Sequence, residues 1–218
     1  MEIQRRIFLG TLGAGALAAS VDSHANAPAT AIAGSAWDMS WTARVIGKHR
    51  AVFDSPQLSG GAGLFRAVTW KHQYAEVYGT AAEEMSGVLV LRAEGIWLAM
   101  NNAFWKDYKV GESQNFKHRD TGAFRTVNPI ASAMSDAGSG SADVTIPGFA
   151  GSGGIVLACH LAFGSVMDLV KKTDKIAADE EAEKKAMTYL LPGVIMQPSG
   201  VFAALRAQEA GCGYILAS

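Results

Sequence analysis

Two short runs of uninterrupted apolar residues, "VLVL" at 88–91 and "IVLAC" at 155–159, constrain this chain more than any other feature. A strand with one wet face alternates apolar and polar side chains, so an unbroken run fits a strand covered on both faces. That arrangement is the parallel sheet, whose strands must be joined by crossovers, most often helices.

The intervening segments supply those helices. "HRAVFDSP" (His49 to Pro56) reads as a first strand closed by a turn, and Leu64, Val68, Tyr74, Val77 and Tyr78 then recur at helical spacing until Gly79 stops the run. After Val88–Leu91 the chain breaks at Glu94-Gly95, and an amphipathic helix is expected from Ile96 toward Tyr108. "HLAFGSVMDLVKKT" places Leu161, Val166, Leu169 and Val170 on one helical face, and "DKIAADEEAEKKAMTYL" is helical by propensity with a solvated charged face. "LPGVIMQP" gives a fourth strand, "SGVFAALRAQEAG" a helix capped by Ser199 and stopped by Gly211, and "CGYILAS" a fifth strand. The prediction is a three-layer α/β/α domain on a five-stranded, mainly parallel sheet.

Two regions stand outside that pattern. "MEIQRRIFLGTLGAGALAASVDSHANA" has the Arg5-Arg6 pair before an apolar stretch that marks twin-arginine export, although Gln4 and Gly10 depart from the usual neighbours. Ile7–Ala19 is too short to span a bilayer, and Ala25-Asn26-Ala27 offers the small residues a signal peptidase reads, so cleavage is expected after Ala27 and residence in the periplasm. Residues 28–48 read as linker and N-terminal extension, and 49–218 as the domain. Within it, residues 112–152 are polar, rich in Gly and Ser, and without sustained period; they are expected to form a lid or a disordered excursion with a small hairpin at Val144–Ile146. Lys plus Arg (19) balance Asp plus Glu (20), which leaves no electrostatic footprint for nucleic acid or an anionic membrane.

The stretches "IVLACHLAFGSV" and "LLPGVIMQPSGVFAALRAQEAGCGYILAS", with "AVFDSP" and "VLVLRAEGIWLAMN" before them, resemble the DsrE/DsrF-like superfamily. The resemblance covers about 49–102 and 153–217 and leaves the polar insert unmatched. It implies a doubly wound sheet, homo-oligomers of three or six chains, and, in the sulfur-relay members, a cysteine that carries sulfur as a persulfide between a protein donor and acceptor. Cys159 occupies a position similar to that cysteine.

From the residues themselves, Cys159 admits two readings. At a strand's carboxyl end and a helix's start it would be an activated thiol, whereas free cysteine is also among the most buried residue types and often only packs. His160 could donate to the thiolate or serve the helix start. Cys212 opens the last strand at the far end of the sheet. A five-residue strand spans about 16 Å against the roughly 7 Å a disulfide tolerates, so no bridge to Cys159 is expected. The other strand ends, Asp54-Ser55, Glu94 and Ser199-Gly200, would share the rim with Cys159, and the Ser199-Gly200 helix start could hold an anion. Asn101 and Asn102 face this rim or solvate a helix. Trp70, Tyr74, Trp97, Trp105 and Tyr108 are expected in core or subunit interface. The chain has no metal-ligand spacing, Cys-x-x-Cys-His haem motif, phosphate loop or Ser/His/Asp order, so no cofactor is expected. Two functions fit: a thiol or persulfide carrier using Cys159, or an oligomeric small-molecule or anion binding module in which Cys159 is structural.

Overall fold

The computed structural model describes residues 37–135, 138–139 and 141–218. The twin-arginine segment, its cleavage point and residues 28–36 lie outside the described residues. Strands β1 (His49–Ser55), β2 (Met85–Leu91), β5 (Ile155–Cys159), β6 (Val194–Gln197) and β7 (Gly213–Leu216) form one sheet in the order β6-β5-β2-β1-β7. Every pairing is parallel. A two-residue antiparallel ladder, β3 (Met134–Ser135) with β4 (Gly138–Ser139), lies in the insert. The expected three-layer α/β/α architecture is therefore present.

Strand parity builds two cores. Phe53, Leu89, Leu91, Val156 and Ala158 belong to the larger, which is covered by α1 (Ala62–Tyr78), α4 (Ile146–Gly151), α5 (His160–Asp174) and α6 (Asp179–Met187). Val52, Val88, Val90, Ile155 and Leu157 belong to the smaller, covered by α7 (Gly200–Glu209) and the 3-10 turn Ser40–Arg44. All residues of β2 and β5 are buried, which accounts for their uninterrupted apolar runs. Helix α7 buries only small residues, Gly200, Ala203, Ala204 and Ala207, so one short helix can lie close across the strands. Trp41, fully buried, fills the rest of that layer, and the Gln197 side chain donates to Asp38 O at 2.9 Å. Residues 37–48 thus pack as part of the domain.

Three local expectations are corrected. In place of a helix from Ile96 to Tyr108 there is a 3-10 segment Ala93–Ala99, an extended break, and the short helices α2 (Asn102–Asp107) and α3 (Val110–Ser113). Asn128 from the insert donates to Leu98 O (2.8 Å) and Met100 O (2.6 Å), and the Asn101 side chain caps α2 by accepting from Phe104 N–H. The backbone around Met100 pairs instead with a distant segment: Asn101 N–H donates to Tyr189 O and Ala99 O accepts from Leu191 N–H, both at 2.8 Å, so the helical ladder stops there. No hairpin forms at Val144–Ile146: a 3-10 turn, Ala142–Val144, leads into α4, which Thr145 caps. The insert also carries Ile130, Ile146 and Phe149 into the larger core, so much of it is anchored. Lastly, the charged helix begins only at Asp179, because α5 ends at Lys175 in a left-handed conformation (φ 58°).

Candidate functional site

In a parallel sheet whose register is fixed, residues of like parity share a face. Beyond Val52, Val90, Leu157 and Ile195 of the α7 face, the next residues of the same parity are Asp54, Arg92, Cys159 and Gln197. They form a polar row at the carboxyl ends of four adjacent strands. Tyr214 of β7, the register partner of Val52, adds its hydroxyl.

The row is held by an ion pair. Arg92 donates through Nε to Asp54 Oδ1 at 2.7 Å and through Nη2 to Oδ2 at 2.8 Å. The Tyr214 hydroxyl donates to the same Oδ2 at 2.5 Å. Asp54 is 2% exposed, whereas the Arg92 side chain keeps 31% of its surface. The hydrogen bond to Asp54 holds the Arg92 guanidinium above its usual pKa against the effect of partial burial. It also raises the Tyr214 phenol, since a phenolate would face the carboxylate. Arg92 is placed by two close approaches. A Cβ on Gly95 would come within 2.1 Å of Ser55 O, which requires glycine in the turn after β2. A Cβ on Gly200 would come within 2.5 Å of Arg92 Cβ, so the first residue of α7 lies directly on the Arg92 side chain.

Ser199 precedes it and accepts from Phe202 N–H at 3.1 Å, the expected cap. The Arg92 guanidinium also faces the Tyr214 hydroxyl, and its hydrogen bonds to Asp54 leave from Nε and Nη2. The Arg92 stem thus runs beside the opening turn of a ten-residue helix, whose N–H groups at Gly200 and Val201 have no intrahelical acceptor.

Cys159 is 6% exposed, and its sulfur accepts from Ala162 N–H at 3.3 Å as the cap of α5. Gln197 is its register partner on β6. That side chain is fully buried, and its Oε1 has no hydrogen-bond partner among the described residues. His160 follows Cys159 in sequence but turns to the other side: its Nε2 is 2.9 Å from Glu183 Oε1 on α6, and Trp37 meets its ring edge-on. Its polar partner is thus a carboxylate on α6. Both cysteines are free, and Cys212 lies at the amino end of β7, its thiol pushed up to about 11 by burial.

Ser55, next to Asp54, has opposite parity and packs under α1, where a Cβ on Gly63 would come within 2.6 Å of its Oγ. Glu94 lies on the α5 side of the sheet: Ala93 takes a left-handed conformation (φ 46°), and Glu94 lines a cleft of about 550 Å³ with Trp97, Asp168 and Lys172. The structure therefore gathers Asp54, Cys159, Ser199 and Gly200 on the α7 side and leaves Ser55, His160 and Glu94 elsewhere. Asn101 caps α2, and Asn102 Oδ1 accepts from Asn128 N–H. Trp97, Trp105 and Tyr108 are core residues, while Trp70 and Tyr74 are half-buried on α1.

Sequence reasoning missed Arg92, Tyr214 and Gln197. Parity was the available signal for Arg92, two residues beyond Val90. Comparison with protein-family models, curated proteins and solved structures returns no match. Among the described residues no group of His, Cys, Asp and Glu could hold a metal ion.

Proposed function

We propose that this chain is an exported, DsrE-like binding module that takes a small oxyanion or carboxylate at the carboxyl end of its sheet, with Cys159 serving as a structural cap. The observation that carries the reading is Arg92: Asp54 holds its Nε and Nη2, the Tyr214 hydroxyl lies against the guanidinium, and the first residue of α7, Gly200, backs its stem. A planar guanidinium next to free helix N–H groups is suited to an anion, because both supply donors without a conformational search. Burial of Cys159 and commitment of its sulfur to the α5 backbone support the structural role. The apolar residues exposed on α7 (Val201, Leu205) and β7 (Tyr214, Ile215, Leu216) support a homo-oligomer, the trimer or hexamer implied by the resemblance.

The test is calorimetric titration of the purified protein with sulfate, phosphate and a short carboxylate. Saturable binding that weakens by about tenfold in Arg92→Lys, where Asp54 keeps a cationic partner but the planar fork is lost, is the expected result. No saturable binding of any of these anions, or binding indifferent to Arg92→Lys, overturns it.

A persulfide-carrying Cys159 is the second reading, and the place of the residue at a strand's carboxyl end and a helix's start favours it. Alkylation of Cys159 in the folded protein, with Cys159→Ser as control, separates the two. Labelling only after denaturation is the outcome expected of a structural cap.

A further inference from the structure

We propose that the cleft on the opposite side of the sheet, between the 3-10 segment after β2 and helix α5, binds a small zwitterion of the amino-acid class with an apolar side chain. The site is separate from the α7 opening and does not depend on what binds there.

Trp97 carries the argument. It is 4% exposed, and its carbonyl accepts from the buried Trp105 indole at 2.9 Å, so its position is fixed. Its own indole N–H has no acceptor among the described residues, and the atom is not sealed in the interior. Trp97 lines the cleft together with Gln114 and Ser165, and we place its donor there, open to water or a ligand. A nearly buried donor with no protein partner favours whatever brings it an acceptor.

The charges around it form no ion pair with one another, although Asp168 also faces Lys171. Asp168 and Lys172 stand four residues apart on α5, a spacing that commonly gives an ion pair. Neither forms one among the described residues, and neither does Glu94 across the cleft. Glu94 and Asp168 present two carboxylates; Lys172 and the Trp97 N–H present donors. A simple anion would meet both carboxylates, and a simple cation would meet the lysine. A ligand with an ammonium and a carboxylate satisfies both sets. Ala162 and Leu169 add an apolar wall suited to an aliphatic side chain, and the cleft, about 550 Å³, admits one.

The experiment uses the ¹⁵N-labelled protein and the indole N–H resonances of its five tryptophans. L-leucine is the probe, with 4-methylpentanoate (no ammonium) and isopentylamine (no carboxylate) as partial mimics. The expected result is a saturable shift of one indole resonance, absent in Trp97→Phe, with leucine binding tighter than either mimic by about tenfold. Asp168→Asn and Lys172→Gln, both at exposed positions, should each weaken leucine by about fivefold or more and serve if Trp97→Phe does not fold. No saturable indole shift, equal response to a mimic, or indifference to both charge variants overturns the proposal. Arg92→Lys should leave the titration unchanged, so failure here is distinguishable from failure of the anion site.

Discussion

Asp54 grips Arg92 with both carboxylate oxygens, at 2.7 and 2.8 Å, across the adjacent parallel strands β1 and β2. The pair sits where the sheet meets the first turn of α7, so it ties the position of that helix to the strand ends. Removing one partner strands the other. Arg92→Met should cost about 3 kcal/mol, because Asp54 would stay buried without a counter-charge. Arg92→Lys should cost about 2 kcal/mol, the loss of one charged hydrogen bond. Urea unfolding at neutral pH measures both, and equal effects of the two substitutions would contradict the bidentate account.

Tyr214 makes the same network sensitive to alkali. Its phenol is raised above the usual value of about 10 by the hydrogen bond to Asp54 and by burial. A group whose pKa is raised on folding contributes stability that is complete below the unfolded pKa and is lost as pH rises through the folded one. The wild type should therefore lose stability above about pH 10, and Tyr214→Phe should show a flatter decline there. Denaturant midpoints taken along an alkaline series decide it.

The acid side belongs to another contact. The Tyr108 hydroxyl donates to Asp174 Oδ2 at 2.6 Å, and Lys185 reaches the same oxygen at 3.0 Å, which joins α2, α5 and α6. Chiefly through the Tyr108 hydrogen bond, the Asp174 carboxyl is held below its ordinary value near 3.8. A depressed carboxyl contributes stability above its unfolded pKa and loses it as pH falls through the folded one. Asp174→Asn should remove part of the loss below about pH 4, and Tyr108→Phe should cost about 1 kcal/mol at neutral pH. An unchanged acid limb in Asp174→Asn would discount the contact.

How much of this was legible beforehand follows from the range of each interaction. The apolar runs at 88–91 and 155–159 declare buried strands because burial acts on single segments, and Ser199 declares a cap because its partner, Phe202 N–H, is three residues away. Asp54 was legible as a strand end. Its two partners lie 38 and 160 residues away, and only the order β2-β1-β7 brings them together. The helix expected over 96–108 failed for the same reason. Ile96, Trp97, Leu98, Ala99 and Met100 are all buried in succession, and the Asn128 amide that claims two of their carbonyls arrives from the insert.

The two thiols should differ in what limits them. Cys212 is buried at the amino end of β7, and its pKa of about 11 leaves almost no thiolate at neutral pH. It should resist iodoacetamide in the folded protein until the pH approaches that value or the chain unfolds, and mass spectrometry of the labelled peptide reports it. Labelling at neutral pH as fast as a free peptide thiol would place Cys212 in a different setting.

The proposed self-association makes the last prediction. Val201 and Leu205 stand one turn apart on the outer face of α7, 63% and 54% exposed, and every residue of the edge strand β7 is exposed. An unpaired edge strand beside an apolar helix face favours contact with another chain, and a charge placed in such a contact costs more than one in water. Leu205→Glu should shift the sedimentation coefficient to that of a single chain while far-ultraviolet circular dichroism stays unchanged, because the side chain does not enter the core of its own domain. A wild-type protein that already sediments as a single chain across the accessible concentrations would show that this surface meets something other than a second copy.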